Sequence, residues 1–222
     1  PNLWANQQGF GVDATTLCLG CGSVNYYPFD ISDIGHGTHV AGLIAGVAGN
    51  GQGGIGVMPF RAKVMPIKVF SMNSQNELST TSVHVANAIR FAYLNGAKVI
   101  NLSLGSDSHI ANDSQIEAAV QEAVANKSVV VVVIGNATSG LGGEVNGTSL
   151  ISIPGQYSIR AGVIGVGSYD SATGQKSGFS NYSRLYAEVG APGDEQNQTG
   201  IYSTKPVSLG SYGRLAGTSQ AA

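Results

Sequence analysis

Residues 113–136 read DSQIEAAVQEAVANKSVVVVVIGN, and this stretch decides the fold class. Ile116, Ala119, Val120 and Ala123 recur at the spacing of one helix face. Asp113 to Asn126 therefore reads as a helix. Val129 to Ile134 follows as an unbroken apolar run of strand length. A strand that is apolar on both faces belongs inside a parallel sheet, where helices cover both sides.

The same alternation extends outward. Upstream, Lys98 to Leu104 is a short apolar strand. Ser79 to Asn95 carries Val83, Ala86, Ile89, Ala92 and Tyr93 at helical spacing, and Gly96 stops it. Ala62 to Phe70 alternates like a strand, and Thr38 to Val47 is a small-residue, apolar helix. Downstream, Ala161 to Gly167 and Tyr186 to Val189 read as two more strands. Residues 1–35 show little periodicity. Strand–helix–strand alternation with short connections implies an α/β domain with a doubly wound, mostly parallel sheet. No linker, repeat or low-complexity segment divides residues 1–222, so one domain is expected.

Composition narrows the function classes. The chain has 222 residues, with 11 basic against 13 acidic side chains and a net charge of −2. That balance excludes a basic field for nucleic acid and a polybasic membrane patch. No apolar run reaches the length of a membrane span. Charged residues make up only 11%, against an ordinary ~25%, so the surface is rich in uncharged polar groups. Such a surface fits an extracellular setting. The two cysteines, Cys18 and Cys21, form a lone C-x-x-C between glycines. It lacks the second pair of a zinc site and the helix start of a redox site. A local disulfide or two free thiols is the expectation.

Four segments carry chemistry. In His36-Gly37-Thr38-His39-Val40-Ala41-Gly42 a histidine opens a helix beside a glycine, a suitable place for a general base. His39, one turn on, is expected to pack beneath the helix. Metal binding is not expected here, because zinc pairs on a helix are spaced four apart. In Val133-Ile134-Gly135-Asn136 an apolar strand delivers an amide at its carboxyl end, where sites form in open α/β sheets. An amide N–H donor there suits an oxyanion. Ile100 to Gly105 is a strand running into small residues, open to an added peptide strand. Gly217-Thr218-Ser219-Gln220-Ala221-Ala222 places a serine at a helix mouth. Each segment alone has an ordinary reading as a helix start, a turn, a core strand or an N-cap.

Taken in this order, these four segments resemble the subtilisin-like serine peptidases, the subtilases. The resemblance extends to Ile55-Gly56-Val57-Met58-Pro59, Gly178-Phe179-Ser180-Asn181-Tyr182 and Ala191-Pro192-Gly193. It implies a subtilisin-like three-layer αβα fold and peptide-bond hydrolysis in a secreted, monomeric enzyme. Ser219 would be the nucleophile and His36 the base. Asn136 and the Ser219 N–H would hold the oxyanion, and Ser103, Leu104 and Gly105 would pair with the substrate backbone. Protein or peptide substrates are implied, and the chemistry requires no cofactor.

Two departures stand out. The family's acid lies in an apolar strand followed by Thr-Gly or Ser-Gly, and no Asp-Thr-Gly or Asp-Ser-Gly occurs in this chain. Asp13 is the nearest imitation, but it stands too close to His36 and lacks an apolar strand before it. Asp30 and Asp33 are closer still. Pro1 to Asn6 resembles the segment that follows the acid in many members, and the motif around Ser219 normally continues beyond two alanines. The expectation is a partial catalytic domain, incomplete at both ends and inactive by itself; the alternatives are Asp13 as the acid, or an aspartate-free member that binds peptides or partners without cleaving them.

Gly49-Asn50-Gly51-Gln52-Gly53-Gly54 matches a dinucleotide fingerprint, but it follows a helix rather than a strand. The resemblance makes it the loop at which many subtilases bind calcium. Here it is shortened and without carboxylates. A structural calcium ion stays an expectation with no site assigned. Asn101 and Asn136 also begin Asn-x-Ser/Thr sequons, and both are expected inside the fold.

Overall fold

The computed structural model describes residues 11–17, 25–105, 113–137, 153–196 and 199–222. Cys18, Cys21 and Pro1 to Asn6 fall outside the described residues. The chain divides into two compact units: Pro1–Ala97 with Tyr202–Gly213, and Lys98–Ile201 with Arg214–Ala222.

In the first unit, β1 (Val12–Asp13) pairs in parallel with β2 (Ile67–Lys68). The strand expected over 62–70 is thus much shorter. Pro66 has no N–H to give a ladder, and its carbonyl takes the Val12 N–H at 3.1 Å. Between these strands runs α1 (His36–Ala45), entered through Gly35 in the left-handed conformation at φ 70°. A side chain at Gly35 would also collide with Pro206. Thr204 Oγ1 donates to Thr38 O and Ser203 Oγ to His39 O, both at 2.8 Å. That close approach leaves no room for a side chain at Gly42. The hairpin β3 (Ser71–Met72) and β4 (Leu78–Ser79) leads into α2 (Ser82–Leu94). Thr81 caps α2 by accepting the His84 N–H. Val85, Ile89 and Ala92 form part of its buried face.

The second unit is built on four parallel strands. They are β5 (Val99–Leu102), β6 (Val129–Val133), β7 (Val163–Asp170) and β8 (Val189–Asp194), in that spatial order. Between β5 and β6 comes α3 (Ser114–Ala125), capped by Asp113, whose Oδ1 accepts from Gln115 N and Ile116 N. Its buried residues are Ile116, Ala119, Val120 and Ala123, the face read from the sequence. In β6, Val130 and Val132 are fully buried, Val131 is half-buried and Val129 is exposed. The second face of β6 is therefore less covered than an unbroken apolar run implies. β9 (Ile201–Thr204) and β10 (Tyr212–Leu215) form a separate two-stranded sheet, and α4 (Thr218–Ala221) closes the chain. The architecture is α/β with a mostly parallel sheet.

Candidate active site

Parallel strands bring their carboxyl ends to one edge of a sheet, and in the second unit β5 and β6 do so side by side. Past β6 the chain runs through buried Ile134 and Gly135 (φ 96°) to Asn136. This turn is clamped by residues 179–181. Asn181 donates its N–H to Gly135 O (3.1 Å) and its amide to Ile134 O (3.2 Å), and Ala137 N–H donates to Phe179 O (2.9 Å). Lys176 holds the clamp in turn. Its ammonium donates to Ser177 O at 2.8 Å and Ser180 O at 2.9 Å, and it stands 5.6 Å from the Tyr182 ring centre. Burial lowers the Lys176 pKa.

Asn136 Oδ1 accepts the Thr218 N–H at 2.9 Å and the Thr218 hydroxyl at 3.0 Å. A backbone N–H can only donate, so the amide oxygen must face Thr218. The Nδ2 end is thereby left for another partner. Asn136 is exposed rather than inside, because it stands beyond the strand end.

Ser219 follows directly. Gly217 N–H donates to Gly193 O (2.9 Å), which seats the turn into α4 against Ala191-Pro192-Gly193. Ser219 Oγ lies 3.3 Å from Ser103 O, and Ser103 Oγ donates to Ser219 O at 2.9 Å. Asn101 Nδ2 donates to Ser103 Oγ at 3.0 Å, which aligns that hydroxyl. Gly217 leaves a notch beside these groups. A Cβ there would stand 2.8 Å from Gln220 Oε1 and 3.3 Å from Asn136 Nδ2. The fold thus links Ser103, Ser219, Thr218 and Asn136 through hydrogen bonds. Leu104 is half-buried and Gly105 is exposed just past β5.

His36 belongs to the first unit, as the first residue of α1. Its N–H donates to Ser32 Oγ at 2.9 Å. Burial pushes the His36 pKa below its ordinary 6.5, and the Asp30 carboxylate opposes that shift. His39 is fully buried, with Nε2 3.2 Å from Gly213 O. Asp13 has other partners: Oδ2 accepts from Lys68 Nζ at 2.8 Å, and Oδ1 accepts from Thr15 N and Oγ1. Sequence reading missed Thr218, the 179–181 clamp and Asp30. Asp30, Ser32 and Thr38 do carry a local signal, since acidic and hydroxyl residues around a helix start are capping residues.

The sequence model for the subtilase family matches residues 24–222. The chain belongs to the subtilase family. This subtilase is 38% identical to thermitase of Thermoactinomyces vulgaris over 187 residues, which is 84% of this chain and 57% of that protein. It is 37% identical to subtilisin DY of Bacillus licheniformis, across 84% of this chain and 59% of that protein. Among solved structures, a protease from Pseudoalteromonas arctica superposes with a TM-score of 0.73 at 29% identity, covering 96% of this chain and 67% of that one. The chain therefore spans a little over half the length of the two curated relatives.

The loop at Gly49 to Gly54 offers no carboxylate, and Asn50 Oδ1 already accepts the Gln52 N–H. Calcium favours several oxygen ligands with carboxylates among them, so these residues do not fit a calcium site. Among the described residues, no group of three His, Cys, Asp or Glu side chains is placed to hold a metal ion. Nor is any helix among them long and apolar enough to cross a membrane.

Proposed function

We propose that this subtilase is a secreted serine endopeptidase that cleaves peptide bonds through an acyl-enzyme. Ser219 Oγ attacks the scissile carbonyl while His36 takes its proton. His36 then passes that proton to the leaving amine, and water releases the acyl group by the same route reversed. Asn136 Nδ2 and the Ser219 N–H hold the oxyanion. The segment from Ser103 to Gly105, at the edge of the sheet, pairs with an extended protein or peptide substrate. No cofactor enters these steps.

The observation that carries this reading is the orientation of Asn136. Thr218 occupies its oxygen, so its N–H₂ end remains as a fixed donor beside Gly217, two residues before Ser219. Donors aimed in advance at a developing oxyanion are the main electrostatic device of acyl transfer. The reading leaves the acidic member of a triad to a residue other than Asp13, whose oxygens serve Lys68 and Thr15.

The test is labelling of the full-length protein by a fluorophosphonate probe. Covalent label on Ser219, abolished in Ser219→Ala, is the expected result. A folded protein that takes no label would instead point to a non-catalytic, peptide-binding member of the family.

A further inference from the structure

Around His36, one carboxylate organises the whole approach to α1. Asp30 Oδ2 accepts the Thr38 N–H at 2.8 Å and the Thr38 hydroxyl at 2.7 Å. Its other oxygen accepts the Ser32 N–H at 3.2 Å and the Ser32 hydroxyl at 2.7 Å. Ser32 Oγ, so aligned, accepts the His36 N–H at 2.9 Å. Ser32, which takes the His36 N–H, and Thr38, two residues further along α1, are thus anchored on a single side chain. We propose that Asp30 is a positioning residue for the general base: it sets the place of His36 at the start of α1 and supplies the negative charge that offsets the positive end of that helix when the imidazolium forms.

The charge argument follows from the helix itself. α1 runs ten residues from His36 to Ala45, and its first turn carries unpaired N–H groups and partial positive charge. A cation formed there is disfavoured. The first turn of α1 contains no acidic residue, so a carboxylate on the preceding loop is placed to relieve that charge. Asp33 on that loop is exposed, His39 lies one turn along, and Lys205 follows β9. Among these groups it is Asp30 whose charge acts on the His36 ring. Four hydrogen bonds to one carboxylate also keep it ionised. Burial raises the Asp30 pKa, but the bonds from Ser32 and Thr38 outweigh it and the net shift is downward.

This inference rests on the proposed role of His36, and the experiment separates the two. In the full-length protein, the rate of fluorophosphonate labelling of Ser219 is measured against pH for wild type and Asp30→Asn. If wild type does not label, the protease reading itself fails. If wild type labels, the variant is expected to lose several-fold in plateau rate, with its acid limb moved to lower pH. The shift is downward because removing a nearby negative charge disfavours the imidazolium. A merely structural role would lower the plateau without moving the limb.

Ser32→Ala, which keeps the Asp30 charge but cuts the link to His36 N–H, guards against an unfolded Asp30→Asn. It is expected to lower the plateau with the limb in place. A folded Asp30→Asn whose plateau and limb both match wild type would overturn the proposal. An unchanged plateau in Ser32→Ala would do the same.

Discussion

Gly217→Ala separates folding from chemistry at the candidate site. Gly217 has φ 164° and ψ 163°, extended backbone that alanine adopts without strain. The new methyl would meet Gln220 Oε1 at 2.8 Å and Asn136 Nδ2 at 3.3 Å. The first contact is with the far end of a flexible side chain, which turns aside. Stability should therefore change by no more than about 1 kcal/mol, and part of that is recovered because alanine restricts the unfolded chain. The second contact matters for catalysis. An acceptor held by Nδ2 must lie about 2.9 Å away, and the methyl occupies that side of the amide. Losing one hydrogen bond to a charged group costs about 1.5–3 kcal/mol. At about 1.4 kcal/mol per decade, kcat/KM should fall roughly ten- to a hundredfold. The assay is hydrolysis of a chromogenic peptide by the full-length protein, paired with thermal unfolding. A stable Gly217→Ala enzyme with wild-type kcat/KM would show that the oxyanion does not lie between Asn136 and Gly217.

Three further outcomes follow from the same geometry. Lys176→Met leaves the Ser177 and Ser180 carbonyls without their ammonium donor, and should destabilise the protein by about 2 kcal/mol in denaturant unfolding; the loosened 179–181 clamp should lower kcat as well. The His36 pKa is lowered by burial despite Asp30, and the base must be neutral, so the acid limb of kcat/KM should lie below pH 6.5. Burial raises the Asp13 pKa, but hydrogen bonds from Lys68 and Thr15 and the Lys68 charge bring it below 3.8. Its stabilisation is then present above that unfolded value and lost as pH falls toward the folded one, so an acid titration of stability should be flatter in this window for Asp13→Asn than for wild type.

Sequence alone determined the local elements. The helices around 38–47, 79–95 and 113–126 emerged within a few residues of their true ends, because a 3.6-residue apolar period acts between near neighbours. The α/β class followed from the apolar run at 129–134 beside such a helix, and the family from four motifs in order. The sequence could not show that Asn136 is oriented by Thr218, 82 positions away, or that Asp13 is held by Lys68, 55 positions away. The short strands β9 and β10 lacked enough periodicity to stand out. Long-range hydrogen bonds carry no period in the chain, because a single pair of polar groups satisfies each once the sheet has brought distant segments together. Candidate residues were therefore legible as types at strand and helix ends. Which atom of each was committed to the fold, and which was left for a substrate, was decided only by tertiary structure.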